Sequence, residues 1–224
     1  MEGVKACLPT IFGYLSIGFA AGVVEKAAGL SVLEIALLSL FLYAGSGQFV
    51  TAGMITAGSP VPSIIFAIFL VNLRHLLFSA SLAPYCRHMG LWKNFLIGSQ
   101  ITDETFGVAS NYLANKKEAS FSWLLGLNIT AYVNWLFANI LGAIMGGWVT
   151  NTEAIGMDFA LPAMFAGLLV FQIICKNEKL LEIGIAMFTV VCLLVVNFFI
   201  PGMWGVMIAT IIGSTVGMVM KKWK

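Results

Sequence analysis

Asn72, Arg74 and His75 lie within four residues of one another in the run LVNLRHLLFSASLAP, Leu70 to Pro84. The residues before it, PSIIFAIFL, are almost wholly apolar. Arg74 brings a guanidinium that stays charged and can grip a carboxylate with two parallel N–H bonds. Helical spacing puts Asn72, His75 and Ser79 on one stripe, with Arg74, Ser81 and Tyr85 on a stripe nearly opposite. An arginine at that depth in an apolar helix costs about 3 kcal/mol on insertion scales. It must therefore face a carboxylate, carbonyl dipoles or a wet cavity, not lipid.

The carboxylates that could answer it are Asp103 and Glu104, in GSQITDETF (98–106). Read as one helix, the segment 91–113 places Ser99, Asp103, Phe106 and Ser110 on one face, and Gln100, Glu104 and Asn111 on the next. Adjacent acids inside a membrane call for a cation, a proton or a water-filled vestibule. The other reading leaves both acids in water at the interface. On the first reading, Asp103 is the acid that faces a path and takes part in coupling.

Two further groups carry polar chemistry. GSGQF sets Gly45, Ser46, Gly47 and Gln48 inside an apolar run, where two glycines weaken a helix by about 1 kcal/mol each. Either helices pack closely there, or the helix breaks and exposes backbone groups, which is tolerated only against protein or a wet cavity. Asn128, Tyr132, Trp135 and Asn139 form a stripe that continues into Gly142 and Gly146, and it suits either interhelical hydrogen bonds or the wall of a polar path.

Several chemistries are excluded. There is no G-x-x-x-x-G-K-[ST] loop for a nucleotide. His75 and His88 are the only histidines, and Cys7, Cys86, Cys175 and Cys192 are scattered, so no metal site is expected. Ser79 follows His75 by one turn, but no G-x-S-x-G element accompanies it. Neither an enzyme nor a cofactor is expected.

The elements that must position these residues follow from composition. Of 224 residues, 60% are hydrophobic and only 10% charged, against roughly 25% charged in soluble domains. Apolar runs at about 7–24, 31–58, 61–86, 121–147, 160–175, 181–200 and 202–220 are comparable to the roughly 20 residues that span a bilayer as helix. The expectation is an all-α polytopic membrane protein, with 1–224 forming one transmembrane domain and the first span retained. Lys116, Lys117, Lys176, Lys179, Lys221, Lys222 and Lys224 suit the cytoplasm, while 148–158, with only Glu153 and Asp158, and the uncharged 51–60 suit the outside. Arg87 and Lys93 also look cytoplasmic. Seven full spans, a re-entrant 91–113 and an external N-terminus reconcile these charges; eight spans with both ends inside is the alternative. The net charge of +2 gives no reason to expect nucleic acid.

Ser31-x-x-Glu34 signals a helix start. Gly205, Ala209, Gly213 and Gly217 make a groove of small residues, as do Gly18 with Gly22 and Gly142 with Gly146; such grooves serve internal packing or a partner subunit. CLPTIFGYLSIGF (7–19) and ALPAMFAGLLVF (160–171) echo one another weakly.

LYAGSGQF, VNLRHLLFSASLAP, ITDETF, YVNW followed by LGAIMGG, and GMDFALPAMFAGLL occur in this order. With them the chain resembles the AzlC family of branched-chain amino acid permeases over nearly its whole length. The resemblance implies export of branched-chain or similar small neutral amino acids across a prokaryotic plasma membrane. It also implies a small membrane partner of the AzlD type. It draws attention to Gly45, Gln48, Asn72, Arg74, His75, Asp103 and Glu104. A scaffold or channel subunit with a structural polar core is the competing expectation.

Overall fold

The computed structural model describes residues 2–114, 116–148, 179–200 and 203–222, with isolated positions between 156 and 173. The described residues are mostly helical and include no strand. The chain divides into two compact units, Met1–Pro162 and Ala163–Lys224.

In the first unit, α1 (Glu2–Ala27) and α7 (Phe121–Gly146) pack along their length. Glycines let the two backbones touch. A Cβ at Gly3 would lie 2.0 Å from the Trp123 carbonyl oxygen, one at Gly22 2.2 Å from that of Asn139, and one at Gly142 2.1 Å from that of Phe19. Contacts advance together along both helices, from Gly3 with Trp123 to Lys26 with Gly146, so the two run parallel. Close approach of backbones is the main source of association where lipid removes the hydrophobic drive.

Around this pair lie α2 (Val32–Phe41), α3 (Gly45–Thr56), α4 (Val61–Leu82), α5 (Leu91–Gly98) and α6 (Asp103–Leu113). The expected capping box opens α2: the Ser31 N–H donates to Glu34 Oε2 at 2.7 Å, and the Glu34 N–H donates to Ser31 Oγ at 3.2 Å. The apolar run 31–58 is interrupted, as the glycines allowed, but the break falls just before them. Tyr43 takes φ 41°, a left-handed conformation that is costly for a bulky residue. Its ring is buried and packs edge-on to Tyr132, centroids 4.6 Å apart.

The segment 91–113 departs from the single helix expected of it. It breaks at 99–102, so Ser99 and Gln100 do not continue the faces of Asp103 and Glu104. Thr102 caps α6, and its side chain and backbone exchange hydrogen bonds with Thr105. A Thr followed at once by two acids is a helix-start signal, and it overrides the apolar continuity of the run.

In the second unit, α8 (Lys179–Phe199) and α9 (Met203–Lys222) form an antiparallel hairpin. The groove of Gly205, Ala209, Gly213 and Gly217 is the buried face of α9. A Cβ at Gly213 would lie 2.3 Å from Thr189 Oγ1 and one at Gly217 3.2 Å from the Ile185 side chain, so α8 fills that groove.

Among the described residues, four helical stretches are long and apolar enough to cross a membrane: Glu2–Ala27, Val61–Cys86, Phe121–Gly146 and Lys179–Phe199. The expected span at 160–175 and its echo of 7–19, with Glu153, Asp158, Cys175 and Lys176, lie mainly or wholly outside the described residues.

Candidate functional site

The two helix breaks meet at Arg74. Its Nη2 lies 2.9 Å from Asp103 Oδ2, at the first residue of α6, and donates a short hydrogen bond to Ser46 Oγ, in the first turn of α3. Both charged side chains keep some contact with their surroundings, at 20% and 16% exposure. The partner of Arg74 is thus one of the two acids that could answer it, Asp103, and Ser46 joins them.

The first turn of α3 comprises Gly45, Ser46 and Gly47. Its N-cap residue, Ala44, makes no side-chain cap bond, so the orphan N–H groups of that turn are left to other partners. A Cβ at Gly45 would lie 2.9 Å from the Trp135 ring, and one at Gly47 3.6 Å from Asn72 Nδ2. Asn72 is half-buried, with its Oδ1 out of solvent and without a hydrogen-bond partner.

Asp103 and Glu104 go to different surroundings, as adjacent faces require. Glu104 acts electrostatically on the Tyr14 and Tyr43 phenols and the Cys7 thiol. Tyr14 and Thr102, whose hydroxyls share a hydrogen bond, both lie in reach of its carboxyl. His75 is half-buried beside Phe78, with ring centroids 6.0 Å apart, and Phe78 stacks on Phe106 at 4.6 Å. Among the described residues His75 makes no hydrogen bond to the Arg74–Asp103 pair.

Gln48 belongs to a second polar cluster. Its Nε2 points at Glu25 Oε1 (3.0 Å), Ser39 Oγ (3.0 Å) and Asn139 Oδ1 (3.1 Å), while its Oε1 accepts from Trp135 Nε1 at 2.7 Å. Glu25, Ser39, Gln48 and Asn139 are each fully buried. Glu25 was not singled out from sequence, because beside Lys26 at the end of an apolar run it reads as a loop charge. A signal existed: Gly18, Gly22 and Glu25 share one stripe, and that stripe is the one pressed against α7.

The polar stripe of α7 faces inward. Asn128 Nδ2 donates to the Ile97 carbonyl at 3.3 Å, closing the end of α5. Tyr132 Oη donates to the Leu40 carbonyl at 2.6 Å, in the last turn of α2. Asn139 Nδ2 donates to the Trp135 carbonyl at 3.1 Å, which leaves its Oδ1 for Gln48. Among the described residues, no group of three or more His, Cys, Asp and Glu could hold a metal ion.

A family model described as "AzlC protein" matches residues 9–149. The chain belongs to the AzlC family. All the residues of both polar clusters lie inside the matched stretch. A relative named "Inner membrane protein YgaZ", from Escherichia coli (strain K12), is 32% identical over 75% of this chain and 71% of its own length. The "Branched-chain amino acid transport protein AzlC" of Bacillus subtilis (strain 168) is 27% identical over 89% of this chain and 79% of its own length. An "Uncharacterized membrane protein" of Archaeoglobus fulgidus is 30% identical over 75% of this chain and 73% of its own. No solved structure matches the chain. These relatives support a membrane transport role for this AzlC member.

Proposed function

We propose that this protein is a secondary transporter that exports branched-chain or similar small neutral amino acids across a prokaryotic plasma membrane. The observation that carries the reading is Arg74 held between Ser46, at the start of one half-helix, and Asp103, at the start of another. A zwitterion fits such a pair by insertion. Its carboxylate takes the guanidinium and the first-turn N–H groups of α3, since helix N-termini favour negative charge. Its ammonium takes Asp103, with Asn72 Oδ1 as a further acceptor. Every charge stays paired as the ion pair opens, so the exchange avoids leaving a buried charge alone, which would be costly.

The aliphatic side chain is read only by apolar walls, which separate one methylene from the next by about 1–3 kcal/mol. Several branched-chain amino acids and methionine should therefore share the site. The test compares binding of leucine with binding of 4-methylpentanoate, which lacks the ammonium, and of isopentylamine, which lacks the carboxylate. Leucine should bind best, and Asp103→Asn should weaken leucine more than 4-methylpentanoate. Equal loss for both ligands would remove Asp103 from ammonium recognition.

Eight crossings within one transport domain, with 91–113 as an interrupted crossing, form part of this reading. Parallel α1 and α7 call for an odd number of crossings between them, which α2–α3, α4 and α5–α6 supply. A small AzlD-type subunit is the expected partner, and its contact would lie elsewhere than the glycine groove that α8 fills.

A further inference from the structure

Among the described residues, Glu25 has no counter-ion. From α2 it meets Ser39, from α3 Gln48, and from α7 Asn139 and Trp135 close the same cluster. None of these carries a charge. Lys26, on its own helix, directs its ammonium to the Leu30 carbonyl at 3.4 Å and lies in electrostatic range of Glu34, the exposed acid of α2. Among the described residues, Glu25 itself is acted on by burial and by Gln48 alone.

The hydrogen-bond inventory is fixed by donors that cannot be reversed. Trp135 Nε1–H can only donate, so the Gln48 amide must turn its oxygen to Trp135 and its nitrogen to the three oxygens. That nitrogen has two hydrogens for Glu25, Ser39 and Asn139. Asn139 Oδ1 only accepts, so an ionised Glu25 would compete with two other oxygens for two hydrogens. Its second oxygen, Oε2, is buried and has no hydrogen-bond partner among the described residues. A charge held so poorly costs several kcal/mol. Asp103 differs: Arg74 answers its charge directly.

We propose that Glu25 carries the coupling proton of this transporter, and that its protonation closes α1 and α7 onto the α2–α3 break. The inference rests on the transport reading above. A proton needs no added room, whereas a metal cation would have to displace the Gln48 amide from a site whose members are fully buried. The proton is taken from water on one face of the membrane and returned to water on the other; no bond of the substrate changes. With Glu25 ionised, water must reach it, so the amide of Gln48 gives way. Gln48 stands two residues from Ser46, and movement of the first turn of α3 therefore reaches Arg74 directly.

The test uses the full-length chain in lipid vesicles and reads the infrared carbonyl stretch of a protonated carboxylic acid. That band should be present at neutral pH in the parent, shifted in Glu25→Asp and missing in Glu25→Gln, and it should bleach as pH rises. In flux assays Glu25→Gln should keep leucine–leucine exchange and lose net flux driven by a pH gradient. No Glu25 band at neutral pH, a band bleached by sodium at fixed pH, or parent-like pH dependence in Glu25→Gln would each overturn the proposal. A parent that moves no amino acid overturns the transport reading instead, while the band still decides whether Glu25 holds a proton.

Discussion

Removing Arg74 and Asp103 one at a time, and then together, measures whether they act as a pair. The N–O distance is 2.9 Å, and the two side chains are 20% and 16% exposed. Breaking a fully buried pair by deleting one partner costs about 3–5 kcal/mol, because the other charge is stranded. Residual solvent contact screens part of that, so Arg74→Ala and Asp103→Ala should each cost about 2–3 kcal/mol. Asp103→Ala should lose a further few tenths, since an acid in the first turn of α6 also meets the helix dipole. The double variant removes both charges of the pair together and should cost less than the sum by at least about 1 kcal/mol. Denaturant unfolding in lipid nanodiscs supplies the four free energies. Losses that add to within about 0.5 kcal/mol would refute the pairing, and with it the account of how a zwitterion enters.

Arg74→Lys keeps the charge but not the fork, so it should insert normally and lose most leucine flux in vesicles. Gly142→Ala would put a Cβ 2.1 Å from the Phe19 carbonyl oxygen, where a carbon normally stays about 3.3 Å away. It should part α1 from α7 and cost about 1–3 kcal/mol in thermal unfolding. Gly213→Leu should destabilise the α8–α9 hairpin, because Thr189 already occupies that space, and should leave co-purification with a partner subunit unchanged.

Much of the first polar cluster could be read from residue types. An arginine in an apolar run demands an acid, and the paired acids of 103 and 104 were the obvious supply. The break ahead of Gly45 was also legible, since glycines and an amide have no reason to interrupt a lipid-facing helix. What sequence could not give was depth and partnership across helices. Trp135 and Asn139 read as a general polar stripe, yet their partner Gln48, and through it Glu25, come from helices far away in the chain. For Glu25 the stripe it shares with Gly18 and Gly22 was the one signal, and its burial depends on α7 lying along those glycines, a tertiary fact. The break at 99–102 had a local signal in Thr102, but apolar periodicity on both sides masked it.

On the eight-crossing reading proposed above, the parallel course of α1 and α7 also bears on which solution each end of α1 would meet. The two helices start at the same end of the pair, which puts Glu2 and Lys5 at the end where the loop of Lys116 and Lys117 leads into α7. Were that basic loop in the cytoplasm, as basic residues favour, the N-terminus would be inside and the far end of α1 would lie toward the exterior. Glu25, three residues from that end, would then sample the acidity of the external medium before that of the cytoplasm. A cell in acid surroundings would load this carboxyl from outside, so the medium itself would set how often the cycle can turn.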